Sequence, residues 1–291
     1  MAETKFIGID LGGTTITAGI VEGSAIVKLK TIPTPGGKPA EEIFSTIAGL
    51  IEDISTGHSI GGIGIGVPAP SGPETDVLFL MENLPTMEGF PLKSRLKDRF
   101  KLPVLLENDA NCMALGELCA GALKGYVNCA CITLGTGLGC GIIIDGKIYR
   151  GEHYCAGEIW NIPYTGTTLE ESVSIDGLKA IYREISGNDL EPDALYEKFL
   201  DGDREIVQAF ERYGKAVGNV MVMVLSFIDP EKIAIGGGLS QSFDAFRDGM
   251  AGIVEKNWGK DSVGKIVPAE LSSKAAILGV VVLLKDYLNR V

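Results

Sequence analysis

The chain has 291 residues, enough for two domains, and its 45% hydrophobic and 22% charged content is that of an ordinary soluble globular protein with a sizeable core. A formal charge of -12, from 38 acidic against 26 basic residues, argues against a surface that attracts phosphate backbones or anionic lipid, so neither nucleic acid nor membrane is an expected partner. The start lacks the basic-then-apolar pattern of a leader, and the runs "VMVMVLSFI" and "AAILGVVVLL" are too short to span a bilayer, so a cytoplasmic location is expected.

Residues 6 to 27, "FIGIDLGGTTITAGIVEGSAIV", read as strand, Gly/Thr loop, strand, tight turn at Glu22-Gly23, and strand. "EEIFSTIAGLIEDI" then places Ile43, Ile47, Ile51 and Ile54 on one helical face, and "IGGIGIGVPAP" is a strand ending at Pro68. "LPVLL" is another strand, running directly into Glu107, Asn108 and Asp109 and a helix-like segment. Residues 129 to 150, "CACITLGTGLGCGIIIDGKIYR", repeat the first module without a gap. Ile9, Leu11, Gly12, Ile20 and Gly23 recur as Ile132, Leu134, Gly135, Ile143 and Gly146. Further on, "REIVQAFERYGKAVGNVMVMVLSFI" is a long apolar helix stopped by Asp229-Pro230, and "KIAIGGGLSQS" is a buried strand ending in three glycines before another helix. "SSKAAILGVVVLLKDYL" is a terminal helix opened by a capping serine. Alternating helices and strands predict an α/β protein to which the hairpins add antiparallel strands.

Glycine in such loops admits positive φ and lets backbone N–H groups approach an anion, while Thr14, Thr15 and Thr136 add hydroxyl donors, so the two loops suit a clasp on one polyphosphate. The other reading is that these glycines only make tight hairpins. There is no GxxxxGK[ST], and "GTGLGCG" leads into a strand rather than a helix, which disfavours a P-loop and a dinucleotide site. Gly236 to Gly238 form a third place for close approach, at the strand end where open α/β sheets usually bind ligands. For the acidic stretch 107 to 109 a plain helix-capping cluster stands beside a catalytic role. The six cysteines fall within one central segment without a CxxC pair and read as reduced, small, buried hydrophobes, with Cys129 and Cys131 on one strand face.

Together, "IGIDLGGTTITAGIV", "GIGIGVPAP", "NLPTMEGFPLKSRL", "LPVLLENDANCMALGE", "ITLGTGLGCGIII", "GEHYCAGEI" and "IAIGGGLS" resemble, in order and over nearly the whole chain, the ROK family of sugar kinases in the actin-like ATPase superfamily. The resemblance implies an α/β, two-domain actin-like ATPase (ribonuclease H-like) fold with a duplicated module and an interdomain cleft. One domain would take residues 1–112 plus 272–291, the other residues 113–271. It implies an ATP-dependent hexose kinase acting on the 6-hydroxyl of glucose or a related hexose or N-acetylhexosamine, with Asp109 as general base and Asn108 as a sugar ligand. Asp10 would lie near Mg²⁺ and the transferring phosphate. Gly12, Gly13, Thr14 and Thr15 would form one phosphate loop, Gly135, Thr136 and Gly137 the other, and Gly237 and Gly238 would approach the nucleoside. Glu158, Asn161 and Glu170 complete the expected substrate contacts.

The chain departs from the family pattern where members commonly carry a His and a Cys-rich zinc loop. Here "GEIWNIPYTGTTLEES" has Asn161 in place of that His and no cysteine, so no structural zinc is expected. Ala69 likewise stands where relatives usually have glycine between two prolines. The resemblance also implies a homodimer. The alternative function is a catalytically idle ROK-type sugar sensor working through a partner, since ROK repressors share this body. An actin-like assembly protein would leave Glu107, Asn108, Asp109, Glu158 and Glu170 unexplained.

Overall fold

The computed structural model describes residues 3–290. Lys5–Leu11 (β1), Thr15–Glu22 (β2) and Ala25–Pro33 (β3) form an antiparallel meander, followed by Ala40–Ser55 (α1), Ile60–Val67 (β4), Leu92–Phe100 (α2), Val104–Asn108 (β5) and Asp109–Ala120 (α3). A second meander comprises Cys129–Leu134 (β6), Leu138–Ile144 (β7) and Lys147–Ile148 (β8). The small hairpin Pro163–Tyr164 (β9) and Thr167–Thr168 (β10) precedes helices Leu169–Val173 (α4), Ile175–Ser186 (α5), Pro192–Leu200 (α6) and Arg204–Ile228 (α7). The chain closes with Lys232–Gly236 (β11), Phe243–Trp258 (α8), Lys260–Val263 (α9), Ile266–Pro268 (β12) and Lys274–Leu288 (α10). Among the described residues no helix is long and apolar enough to cross a membrane.

The repeat read in the sequence is a repeat of topology. One sheet runs β3-β2-β1-β4-β5 and the other β8-β7-β6-β11-β12, so in each a three-stranded meander pairs, through its first strand, with a parallel strand that pairs in turn with another. Gly23 and Gly146 both turn with positive φ, 62° and 72°, at equivalent hairpins. Helical periodicity gives α1 its buried stripe of Ile43, Ile47, Ile51 and Ile54, each contributing about 2 kcal/mol by burial against the first sheet. α7 begins where Asp203 accepts the N–H groups of Glu205 and Ile206, and ends where Asp229 turns left-handed (φ 46°) before Pro230.

α3 and α10 cross between the two sheets, in contact with the apolar faces of both. Glycine permits that crossing. A Cβ on Gly116 would collide with the carbonyl of Ala275, and one on Gly279 with the carbonyl of Cys112. Two expectations need correction. Ser273 occupies the cap position of α10 but makes no capping hydrogen bond, because its backbone is already helical (φ -60°, ψ -14°) and Leu271 and Ser272 supply the carbonyls for the first N–H groups. All six cysteines are free, and Cys129 and Cys131 share one buried face, yet Cys119 and Cys155 are exposed rather than buried.

Candidate active site

The C-terminal ends of β1, β4 and β5 in one sheet face those of β6 and β11 in the other across a cavity of about 230 Å³. The first sheet contributes Asp10, Pro68 to Pro70, Asn108 and Asp109. Asn108 ends β5 with extended backbone, and its Oδ1 accepts the N–H of Asn111 at 3.0 Å, which starts α3. The capping reading of this stretch is therefore correct for Asn108, and its free amide end does something else. Nδ2 donates to Glu158 Oε1 at 3.3 Å and to the Ala69 carbonyl at 3.4 Å, reaching across the cavity to the other half.

Asp109 is half-buried at the floor. Its Oδ1 accepts the N–H of Ala110 at 2.8 Å, and its other oxygen takes no hydrogen bond among the described residues. Crowding by the cavity walls, with the negative charge of Asp10 nearby, pushes its carboxyl up to about 7, against the opposing N–H of Ala110. Desolvation likewise raises Asp10 to about 6. Both carboxyls keep an edge open to cleft water, so a cation or a hydroxyl can reach them.

Glu158 hangs from the segment between β8 and β9, which reverses tightly through Gly151, Tyr154 and Gly157, all left-handed. Its second oxygen accepts the indole N–H of Trp160 at 2.8 Å. Burial raises its carboxyl to about 7, the Trp160 hydrogen bond opposes this, and the charges of Asp109 and Glu170 add to it. Glu170, in the first turn of α4, accepts the N–H of Leu138 at 2.8 Å and so pins the loop of Gly135, Thr136 and Gly137 to the helix start. Burial raises its carboxyl too, and Glu82, from the opposite wall, adds a like charge.

At the end of β11, Gly237 sits at φ 82°, and a Cβ there would collide with the Leu134 carbonyl. Only glycine lets the strand end pass flat beside the second phosphate-type loop. The loop of residues 135 to 137 and the strand end at Gly237 thus border the cavity with glycine backbone, with Asp10 and Asp109 on the facing side and Glu158 and Glu170 beside the loop. That pairing suits a polyphosphate against a hydroxyl-bearing acceptor.

A family profile, that of the ROK family, matches residues 6–287. The chain belongs to the ROK family. It is 31% identical over 306 residues to a glucokinase of Streptomyces coelicolor, covering 94% of this chain and 95% of that protein. It is 30% identical over 257 residues to an N-acetyl-D-glucosamine kinase of Vibrio atlanticus, covering 81% of this chain and 84% of that one. A crystal structure of a ROK family glucokinase from Streptomyces griseus, in complex with glucose and AMPPNP, superposes with a TM-score of 0.86 at 27% identity, over 97% of this chain and 99% of that chain. The fold shared with ROK kinases is the two-sheet, actin-like ATPase arrangement described above.

Of the residues that the ROK pattern pointed to, Asp10, Asn108, Asp109, Glu158 and Glu170 come together on the cavity, as do Gly135, Thr136, Gly137 and Gly237. The first glycine loop does not line it. Gly12 donates to the Thr15 carbonyl and receives Thr34 Oγ1 on its own carbonyl, while Thr14 and Thr15 are exposed and Gly13 packs against Asn83. Gly238 is exposed just beyond the rim, and a Cβ there would touch nothing. Asn161 is exposed and away from the cavity, because the chain turns at residues 159 to 162 and it is Trp160 that faces inward. Trp160, Glu82 and Asn83 also line the cavity and were not singled out from sequence. Asn83 opens the motif "NLPTMEGFPLKSRL", which was a usable signal; Trp160 carries none beyond its place two residues after Glu158.

Proposed function

We propose that the protein is an ATP-dependent hexose kinase transferring the γ-phosphoryl group to the 6-hydroxyl of glucose or a related hexose or N-acetylhexosamine. The observation that carries this reading is the desolvated Asp109 carboxylate beside the Asn108–Glu158 hydrogen bond, facing the Gly135–Gly137 loop and Gly237 across one cavity. Asn108 and Glu158 offer the mixed donor and acceptor set that sugar hydroxyls need. With Oδ1 anchored to Ala110, the other oxygen of Asp109 is free to take the proton of the acceptor hydroxyl as its oxygen bonds to phosphorus and ADP departs. The N–H of Gly135 closes the loop onto the Gly137 carbonyl, backbone N–H groups of Thr136 and Gly137 would hold phosphate oxygens, and Gly237 leaves room for the nucleoside.

Magnesium-ATP, when bound, supplies the phosphoryl group and offsets the negative charge that Asp10, Asp109, Glu158 and Glu170 concentrate here. Asp10 is the side chain that would stand beside Mg²⁺. Among the described residues no three His, Cys, Asp or Glu side chains form a metal cage, and Mg²⁺ on a nucleotide needs only one or two carboxylates beside its phosphates. The reading includes no structural zinc, since between Glu158 and Glu170 the chain offers neither thiol nor imidazole.

The test is ADP release by purified protein with Mg-ATP across glucose, mannose, N-acetylglucosamine and N-acetylmannosamine, with Asp109→Asn alongside. Turnover on one of these sugars is expected, with a fall of about 10³-fold in kcat in the variant. Sugar binding without turnover in the wild type would overturn the kinase reading in favour of a sensor.

A further inference from the structure

Glu107 is fully buried two residues before Asp109, yet proton transfer makes no use of it. Its Oε2 receives both Nε and Nη2 of Arg150, at 2.7 and 2.6 Å, and its Oε1 receives Asn111 Nδ2 at 3.0 Å and the backbone N–H of Asn108 at 3.2 Å. Four donors thus converge on one carboxylate. A buried ion pair is a poor source of net stability compared with apolar packing, so its value here lies in geometry. The two partners come from different halves of the molecule: Glu107 lies at the end of β5, and Arg150 follows β8.

Resting on the kinase reading above, we propose that Glu107 and Arg150 are positioning residues that hold the sugar-binding side chains of the two halves at a fixed separation. The contacts close a circuit. The carbonyl of Arg150 accepts the N–H of Ala156 at 3.0 Å, folding the segment that presents Glu158. Glu158 accepts Asn108 Nδ2, and the backbone N–H of Asn108 returns to Glu107. The Asn108–Glu158 hydrogen bond, at 3.3 Å, is the longest link made by side chains in this circuit, and the short guanidinium–carboxylate pair behind it sets how far apart its ends can drift. Glutamine cannot replace Glu107 in this role. An amide has one oxygen and one NH₂, so either orientation turns donors against Arg150 or against Asn111 and the Asn108 N–H.

The test uses the full chain and the variants Arg150→Met, Glu107→Gln and the two combined. Calorimetric titration with D-glucose, N-acetyl-D-glucosamine and N-acetyl-D-mannosamine reads sugar binding without turnover, and titration with MgADP reads the nucleotide side. For the sugar that the wild type binds tightest, each single variant is expected to weaken binding about tenfold and lower kcat about 100-fold, with MgADP affinity changed by less than about twofold. The double variant buries no lone charge, and its amide at position 107 can aim its oxygen at the Asn108 and Asn111 donors. It is expected to regain about tenfold in kcat over Arg150→Met. Should Arg150→Met fail to fold, Arg150→Lys, which keeps the charge but not the two-donor fork, reads the same split. Wild-type sugar affinity and kcat in folded single variants, or equal losses for sugar and MgADP, would overturn the positioning role alone. A wild type that binds none of the three sugars would remove the kinase reading and this inference with it.

Discussion

The two sheets share one topology, and their matching strand ends carry opposite chemistry. Asp10 lies at the end of β1 where Thr133 stands in β6, and Pro68, Ala69 and Pro70 follow β4 where Gly236, Gly237 and Gly238 follow or end β11. The first half therefore ends its parallel strands in charge and stiff backbone, the second in open backbone. The internal repeat thus presents two equivalent rims whose strand ends differ, one carrying carboxyl and amide side chains with prolines, the other glycine backbone. The glycine loops differ in the same sense. Gly12 to Thr15 is closed on itself and tied to Thr34, whereas Gly135 to Gly137 lines the cavity and is held by Glu170.

That division predicts separable defects. On the nucleotide side the largest is expected from Gly237→Ala, whose Cβ has no room beside Leu134 and whose φ of 82° disfavours any side chain. Steady-state kinetics should show kcat/KM for Mg-ATP falling about 100-fold, with the KM for sugar within about twofold of wild type. Equal losses on both substrates would dissolve the distinction between the rims.

The acidic rim is tested by pH. Asp109 must be ionised to accept a proton, and its carboxyl is held at about 7. Below that value kcat/KM for sugar should fall about tenfold per pH unit, and the variant Asp109→Asn should be slow and keep only the shallower dependence that the Glu158 carboxyl, at about 7, gives sugar binding. The sign for stability is opposite. A carboxyl raised in the folded state above its ordinary value of 3.8 stabilises below that value and loses the contribution as pH rises through about 7, so the apo-protein should melt at a higher temperature at pH 6 than at pH 8. The same reasoning predicts that Asp109→Asn melts above wild type at pH 8.

A smaller effect is expected at the cavity wall beside Glu158. Trp160→Phe keeps an aromatic ring and deletes the N–H that meets Glu158 Oε2, which should raise the sugar KM about tenfold and leave the KM for Mg-ATP alone. Asn161→Ala, one residue further and facing out, should change either KM by less than about twofold. If Asn161→Ala were the more damaging of the two, the direction in which this segment turns would be wrong.

Much of the fold was legible from local pattern. Both meanders follow from apolar strands broken by glycine loops and Glu-Gly or Asp-Gly turns, and α7 runs from Arg204 to the Ile228 that precedes Asp229-Pro230, because an acidic cap and a proline bound it on either side. Ser273 misled because a serine before an apolar run looks like a cap whatever its φ and ψ turn out to be. In the site, the motif around Asn108 and Asp109 was readable because a strand-to-helix junction concentrates its chemistry in adjacent residues.

What the sequence determined by itself is the internal repeat, the long helices and the strands that carry the site, and the identity of the residues at the strand ends, all encoded in short windows where periodicity and turn chemistry act. Tertiary structure alone decided which of those ends share a cavity. It also decided that Trp160 rather than Asn161 faces inward, and that Arg150 reaches Glu107 across 43 residues while Glu158 reaches Asn108 across 50. Such pairings carry no period and no local propensity. They arise only when two sheets built from the same plan are packed across α3 and α10, and burial then leaves each charged or amide group few partners within reach.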